Sequence, residues 1–191
     1  MRYVVFDIET QNTFDDVGKN EPALLDISVV SAYDSLTDRY HTVSYEALEE
    51  LWPIFEHADA LVGYNSNHFD IPILEKYYPG TLASIRSIDL LESIRLSYGR
   101  RVRLDTVAEA TLGTKKSGHG LQAITWWKQG EIEKIKKYCE KDVEITKRLF
   151  EYAREHKTLR IKEGLKKREI PIDTDSWDAQ ASGAMTHALP F

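Results

Sequence analysis

Residues 3–9 read Tyr-Val-Val-Phe-Asp-Ile-Glu and predict a buried β-strand that carries two carboxylates. Side chains alternate between the two faces of a strand, so Asp7 and Glu9 point to one face and the apolar residues at positions 4, 6 and 8 point to the other. Two like charges in a small buried patch repel each other, and protonation of one acid or a bound divalent cation would relieve that repulsion. A strand that ends at the surface, with both acids in water, explains this segment equally well.

The composition of the chain indicates one globular domain. The sequence has 191 residues, of which 42% are hydrophobic, and this is enough for one sizeable core. No leader-like segment is found near the start and no apolar run is long enough to cross a bilayer, so we expect a cytoplasmic protein without a membrane partner. A single cysteine, Cys139, excludes an internal disulfide and a zinc cluster built from cysteines.

The net charge of −6 argues against a general electrostatic affinity for nucleic acid, which depends on Lys and Arg side chains that neutralise phosphates. Local clusters of basic residues could still form a track for a phosphate backbone, although each cluster taken alone is better explained as a solvated surface. The clusters are Arg100, Arg101 and Arg103; Lys115 and Lys116; and Lys134, Lys136 and Lys137.

Strand-like and helix-like patterns alternate along the chain and predict a mixed α/β domain. Asp89 and Asp105 are each expected to cap the helix that follows them. The predicted strands are 3–9, 24–33, 39–45, 60–64 and a short stretch before Asp89, and the predicted helices are 47–58, one that begins near Asp70, 90–98, one that stops at Gly113, and 121–154.

Three parts of the chain are expected to differ in organisation. Residues 1–155 are predicted to form the main domain, and 156–175 to form a C-terminal extension with a hairpin. Residues 176–191 form a tail rich in small residues, which we expect to be disordered.

Two further acids occupy positions that need an explanation. Asp142 lies at the centre of the apolar face of a helix, with Tyr138 one turn before it. Asp70 follows an Asn-rich turn and begins a helix. A salt bridge would explain Asp142 alone, and an N-cap would explain Asp70 alone. Four acids together, with no competing cysteine or histidine set, favour oxygen ligation of Mg²⁺ or Mn²⁺ over a zinc site.

The order of these residues resembles a known family. Residues 6–10, Phe-Asp-Ile-Glu-Thr, look like its first motif; Asn65 with Phe69 and Asp70 looks like its second; and Tyr138 with Asp142 resembles its third. Together they are similar to the DEDD, or DnaQ-like, 3′-to-5′ exonucleases of the ribonuclease H-like fold.

Tyrosine at the third motif resembles the tyrosine branch of the family, DEDDy, because the position that carries histidine in the other branch is Lys137. The resemblance covers about 2–152, and the stretch 104–113 is also similar to the proofreading domains of family B DNA polymerases.

The resemblance implies a mixed five-stranded sheet flanked by helices and an active site with two metal ions. Asp7 is expected to bridge both ions, Glu9 and Asp142 to complete the site of one ion, and Asp70 to help hold the other. Ordinary tyrosine has a pKa of about 10, so Tyr138 is expected to orient a water molecule rather than to act as a strong base at neutral pH.

The resemblance also implies a nucleic acid partner. The substrate-contact candidates are Thr10, Gln11, Asn65, Phe69, Lys115 and Lys116. Stacking of a base on Phe69 would favour single strands or frayed ends, although Phe69 serves equally well as a core aromatic residue.

The predicted activity is hydrolysis of phosphodiester bonds from the 3′ end of DNA, with a role in DNA repair or with a separate polymerase partner. An exoribonuclease with the same chemistry and a non-catalytic nucleic-acid-binding module of the same fold are the alternatives. The presence of all four acids and Tyr138 disfavours the non-catalytic module.

Overall fold

The central element of the computed structural model, which describes residues 1–114, 121–164 and 166–178, is a five-stranded mixed sheet. The strand order is β3-β2-β1-β4-β5. β1 is antiparallel to β2 and parallel to β4, so the strand predicted to carry the paired acids lies in the middle. The strands of this sheet are β1 (Tyr3–Thr10), β2 (Ile27–Asp34), β3 (Arg39–Ser44), β4 (Ala60–Gly63) and β5 (Arg86–Asp89).

Helices cover both faces of the sheet. They are α1 (Phe14–Val17), α2 (Trp52–Glu56), α3 (Asp70–Leu74), α4 (Leu90–Tyr98), α5 (Leu104–Leu112), α6 (Leu121–Lys128), α7 (Ile132–His156) and α8 (Asp175–Asp178), with short 3₁₀ helices at Pro22–Leu24, Tyr45–Leu51 and Leu82–Ser84. A hairpin of β6 (Thr158–Glu163) and β7 (Lys166–Pro171) follows α7.

The alternation of side chains along β1 divides the core between the two faces. Val4, Phe6 and Ile8 are buried among residues of α2, α3 and the 3₁₀ helix Tyr45–Leu51. Val5 is buried on the opposite face with residues of α4, α5, α7 and the hairpin. Asp7 and Glu9 continue the line of Val5, as the sequence predicts, and therefore point towards the face that α7 covers.

Helix α7 is 25 residues long and lies across β1 and β2. Its buried stripe recurs at helical spacing, because a helix that packs on a sheet buries one face. The sequence-based prediction of a buried face around Asp142 is confirmed. The buried residues are Ile135, Cys139, Val143, Ile145, Thr146, Leu149, Phe150 and Ala153.

Several predicted helix boundaries are wrong. The predicted helix 47–58 is a 3₁₀ helix followed by α2, because Ala47 leaves helical geometry and Pro53 occupies the first turn of a new helix. The predicted helix 121–154 is divided into α6 and α7 by a turn in which Gly130 has a φ of 72°.

One predicted cap is wrong, and the cap considered as an alternative explanation for Asp70 is not found. Asp105 lies within the first turn of α5, whose N-cap is Arg103, and Asp70 is the first residue of α3 rather than its cap. Asp89 does cap α4, since its side chain accepts hydrogen bonds from the backbone N–H groups of Leu91 and Glu92.

The C-terminal hairpin packs on the main core. Leu159, Ile161 and Ile170 are buried in the same cluster as residues of α5 and α7. α8 falls partly within the segment predicted to be a tail, and the rest of that segment, 179–191, lies outside the described residues. The division of the chain at 155 and 175 stays a prediction.

In the described part of the chain, no helix combines the length and the apolar character that a membrane span requires.

Candidate active site

A cleft of about 420 Å³ opens where β1 and β4 end beneath α6 and α7. The five residues predicted to carry chemistry all line it: Asp7, Glu9, Asp70, Tyr138 and Asp142. β1, α3 and α7 therefore bring together residues that lie far apart in the sequence, from Asp7 to Asp142.

Three carboxylates form the centre of the cleft. Asp7 and Glu9 of β1 and Asp142 of α7 each offer an oxygen atom, and these atoms all lie within 4.8 Å of one another. All three residues are half-buried. We refer to Asp7, Glu9 and Asp142 as the carboxylate triad.

Local distortion of the sheet occurs next to the triad. Glu9 pairs with Val29 of β2, but Thr10 pairs with Ile27, so the register shifts by one residue between them. A bulge of this kind bends and twists a strand and re-aims its side chains. The irregularity lies at the end of β1, where the strand leaves the sheet and becomes the floor of the cleft.

The triad is electrostatically strained in the absence of a cation. Removal from water raises the pKa of Asp7 well above its usual value, and the charges of Asp70, Glu9 and Asp142 raise it further. Removal from water likewise raises the pKa of Glu9, with added repulsion from Asp142 and Asp70. A divalent cation would reverse the sign of this local potential.

Asp70 lies beside the triad and has a second role in the sheet. β4 pairs with β1 only as far as Val5, so the N–H of Ile8 faces no neighbouring strand on that side. Instead, this N–H donates a hydrogen bond to Oδ1 of Asp70 at 3.2 Å. Burial raises the pKa of Asp70 to about 7, although the hydrogen bond from Ile8 opposes the shift.

Tyr138 contributes a neutral hydroxyl to the cleft. Burial raises the pKa of its phenol above the usual value, and the charges of Asp142, Glu9 and Asp7 raise it further. Its ring packs edge-on against Trp126 of α6, with ring centroids 6.0 Å apart. Tyr138 is therefore protonated at neutral pH and can donate a hydrogen bond.

Cys139 also contacts the triad, which its sequence context did not indicate. Its thiol lies 3.2 Å from the backbone oxygen of Asp7 and 3.6 Å from Oδ2 of the same residue. Burial, followed by the nearby carboxylates, raises the pKa of the thiol well above its usual value. Cys139 therefore remains a thiol, and it contacts Asp7 from α7.

The structure separates the predicted substrate-contact residues. Thr10, Asn65 and Phe69 line the cleft. Gln11 is not among the lining residues, and its side-chain amide donates a hydrogen bond to the backbone oxygen of Ile27 at 2.7 Å. Lys115 and Lys116 lie outside the described residues.

An apolar wall completes the cleft and was not identified from the sequence. Phe14 meets Phe69 edge-on, with ring centroids 6.1 Å apart. Aromatic residues often form such pairs, but a sequence does not show which aromatic residues of separate segments will meet. The other apolar side chains of the wall are Leu25, Leu121 and Ile124.

The donor set fits a hard divalent cation. The triad supplies oxygen atoms only, close enough to share one ion, and the charges of its acids are mutually destabilising. Oxygen ligands of this kind suit Mg²⁺ and Mn²⁺. Asp70, beside Asp7, could contribute to a second ion.

Comparison with known protein families identifies the superfamily of this fold. A family model described as the RNase H superfamily matches residues 4–154. No curated protein matches the chain.

Two solved structures are similar to the chain. The family B DNA polymerase from the hyperthermophilic archaeon Pyrobaculum calidifontis aligns with a TM-score of 0.63 and 20% identity, over 80% of this chain and 24% of that one. The RNase D of Trypanosoma brucei aligns with a TM-score of 0.55 and 15% identity, over 78% of this chain and 56% of that one. The chain therefore spans about a quarter of the polymerase and just over half of the RNase D.

Proposed function

Because the chain belongs to the RNase H superfamily, we propose that it is a metal-dependent nuclease that removes nucleotides from the 3′ end of single-stranded or frayed DNA. The predicted ribonuclease H-like fold, a mixed five-stranded sheet flanked by helices, is confirmed. We assign the protein to the tyrosine branch of the DEDD exonucleases, DEDDy, and its catalytic domain to residues 1–155.

The proposal rests on the convergence of four acids and one tyrosine in a single cleft. A solvated strand end explains the two acids of β1, and a salt bridge and a helix cap explain one acid each, but none explains why all four face the same space. The carboxylate triad has the chemistry of a cation site, and Asp70 and Tyr138 lie around it.

The roles of the side chains follow from their positions. Two bound divalent cations would act as Lewis acids that make a water molecule a nucleophile and neutralise the leaving 3′ oxygen. After burial, repulsion from Asp70 is the largest cause of the raised pKa of Asp7, and Asp7 would help to hold both ions. The hydroxyl of Tyr138 is suited to orient the attacking water by donating a hydrogen bond.

The cleft also has features suited to a terminal nucleotide. The ring of Phe69 and the apolar wall can contact a base or sugar, and the polar side chains of Thr10 and Asn65 line the same space. Stacking on aromatic rings requires an unpaired base, which supports a single-stranded or frayed end.

The preference for DNA is supported by the similarity to a family B DNA polymerase, and the similarity to an RNase D supports an exoribonuclease as the second candidate. The chain matches only part of each of those proteins. A partner polymerase or a role in DNA repair is therefore a proposal that goes beyond the chemistry of the cleft.

Incubation of 3′-labelled and 5′-labelled DNA and RNA oligonucleotides with Mg²⁺ or Mn²⁺ tests the activity. We expect stepwise shortening from the 3′ end of DNA. Asp7→Ala and Asp142→Ala should each lower the rate at least about a hundredfold, because each removes a group needed to stabilise charge in the transition state. Tyr138→Phe should slow turnover while retaining affinity for the metal, measured by calorimetry.

Asp59→Ala is the matched control. Asp59 is an exposed acid that precedes β4, at the opposite end of that strand from the cleft, and accepts the backbone N–H of Arg2. Its activity should equal that of the native protein. Shortening of RNA alone would favour the exoribonuclease. A protein that shortens neither polymer, or full activity in both Asp variants, would overturn the proposal and favour a binding module.

A further inference from the structure

A second cleft of about 320 Å³ lies next to the candidate active site. Asn65 lines both clefts and therefore separates them. On the far side of Asn65, the second cleft is lined by His68 and by two arginines, Arg95 of α4 and Arg101 of the loop between α4 and α5.

The wall between the clefts is held in a fixed conformation. Asn65 has a φ of 67°, in the left-handed region that Asn adopts more readily than most residues. The backbone N–H of Asn65 donates a hydrogen bond to Oδ1 of Asp89 at 2.8 Å, and the backbone N–H of Asn67 donates one to Oδ2 at 3.1 Å. These bonds fix the turn that carries Asn65, so its side chain is positioned before any ligand binds.

Arg95 and Arg101 differ from the neighbouring cations. Arg100 pairs with Glu163 at 3.7 Å, and Arg103 pairs with Asp105 at 3.5 Å. Within residues 1–114, 121–164 and 166–178, neither Arg95 nor Arg101 forms a salt bridge, and Nη2 of Arg101 donates to Oδ1 of Asn65 at 2.5 Å.

The acids of the second cleft already have hydrogen-bond partners. Asp89 is occupied by backbone N–H groups, and Glu92 accepts a hydrogen bond from Nδ2 of Asn67 at 2.8 Å. The cleft therefore offers a ligand two guanidinium groups that have no carboxylate partner among residues 1–114, 121–164 and 166–178. Two guanidinium groups beside amide side chains suit phosphate oxygens, which Arg binds with directed hydrogen bonds.

The loop that carries Arg101 is anchored on both sides. The hydroxyl of Tyr64, a residue of the first cleft, donates to the backbone oxygen of Val102 at 2.6 Å. Arg100 lies over the ring of Tyr98, 4.9 Å from its centroid, and Arg168 of the hairpin lies 5.2 Å from the same centroid. Arg101 is thus held between the active site and the hairpin.

We propose that the second cleft binds the phosphodiester backbone of the substrate strand next to its terminal nucleotide, with Arg101 and Arg95 as the phosphate contacts. This inference rests on the proposed nuclease function. It accounts for binding of a polyanion by a chain of net charge −6, because the contact needs two placed cations rather than a generally basic surface.

Two substrates separate the second cleft from the chemistry. The p-nitrophenyl ester of thymidine 5′-monophosphate contains only a terminal nucleotide and a scissile phosphate, whereas a DNA oligonucleotide also contains the preceding phosphates. Arg95→Gln and Arg101→Gln should each lower kcat/KM for the oligonucleotide about tenfold relative to kcat/KM for the ester, mainly through KM, because a charge-assisted hydrogen bond is lost.

Salt dependence gives an independent readout. Binding of a single-stranded oligonucleotide, measured without divalent metal so that no cleavage occurs, should weaken with salt. The slope of log K against log salt should decrease by about 0.7 for each phosphate contact removed. Arg148→Gln is the control, since Arg148 is an exposed arginine of α7 that pairs with Glu144 at 3.7 Å.

The outcomes distinguish the two proposals. A native protein that hydrolyses neither substrate would overturn the nuclease function, while the salt slopes would still test the second cleft. Equal losses on both substrates, or unchanged slopes in both Arg variants, would overturn the second cleft alone. Equal effects of Arg148→Gln and Arg95→Gln would do the same.

Discussion

Asp89 at the end of β5 and the pair Asp7 and Glu9 on β1 are acids withdrawn from water on the same sheet, but their surroundings differ. Asp89 accepts backbone N–H groups from Asn65, Asn67, Leu91 and Glu92. Burial raises its pKa, and these four bonds oppose the shift. For Asp7 and Glu9, neighbouring carboxylates add to the effect of burial.

The difference separates an acid whose charge serves the fold from acids whose charges suit a cation. The hydrogen bonds of Asp89 are internal to the protein, so its charge stabilises the turn and the start of α4 directly. The charges of the carboxylate triad oppose one another, and protonation or a cation from outside the chain would relieve that repulsion. Burial alone would not distinguish the two cases, whereas the identity of the neighbours does.

Replacement of Asp89 should give the largest change in stability. Asp89→Asn removes the charge and turns an amide group towards one of the N–H donors, so we expect the free energy of unfolding to fall by about 3 kcal/mol. Urea denaturation followed by circular dichroism measures this loss. The turn that carries Asn65 should loosen as well, which faster hydrogen exchange at its backbone amides would show.

Asp59→Asn serves as its control, because Asp59 accepts one backbone N–H at an exposed position. Its effect should remain within about 0.5 kcal/mol. If Asp89→Asn were as mild as the control, the hydrogen bonds of Asp89 would not hold the turn, and the contrast with Asp7 and Glu9 would fail.

The parts of the fold that depend on periodicity could be predicted from the sequence. The period of two along β1 and the period of 3.6 along α7 place Asp7, Glu9 and Asp142 on their correct faces, because both patterns are local properties of the chain. The break between the 3₁₀ helix and α2 was not predicted. It depends on the conformation of Ala47 and on Pro53, which outweigh an apolar pattern that fits one helix.

The finer parts of the site depend on where elements end relative to one another. Asp70 bonds Ile8 only because β4 stops short of the end of β1. Arg101 reaches Asn65 only because the loop after α4 returns to the end of β4. A sequence shows neither relation, since each joins segments through tertiary packing. The motif pattern therefore predicted which acids meet in the cleft better than it predicted the contacts around them.

The pH dependence of stability should differ between the metal-free and metal-bound protein. Without metal, the folded state raises the pKa of Asp70 to about 7 and raises those of Asp7 and Glu9 in the same direction. The folded state then holds more protons than the unfolded state above about pH 4, so stability falls as the pH rises towards 7. We expect a loss of roughly 2 kcal/mol between pH 5 and pH 8.

Thermal unfolding in EDTA and in Mg²⁺, at pH 5 and at pH 8, measures this effect. The increase in Tm caused by Mg²⁺ should be larger at pH 8, where the carboxylates are ionised and the ion balances their charge. The same increase at both pH values, or stability in EDTA that rises with pH, would contradict the repulsion inferred for the triad.

The smallest effect, and the sharpest contrast with Asp89, is expected from Asp7→Asn in the metal-free protein. The substitution keeps the shape of the side chain and removes one of the mutually repelling charges, so stability in EDTA at pH 8 should rise by about 1 kcal/mol while activity is lost. Asp26→Asn is the control, because the ammonium of Lys76 lowers the pKa of Asp26 and loss of that charge gives no such gain. Opposite signs for Asp7→Asn and Asp89→Asn would separate an acid held for a cation from an acid that holds a turn. A loss of stability in Asp7→Asn would mean that the thiol of Cys139 already balances the charge of Asp7, and the triad would then have no electrostatic need for a metal.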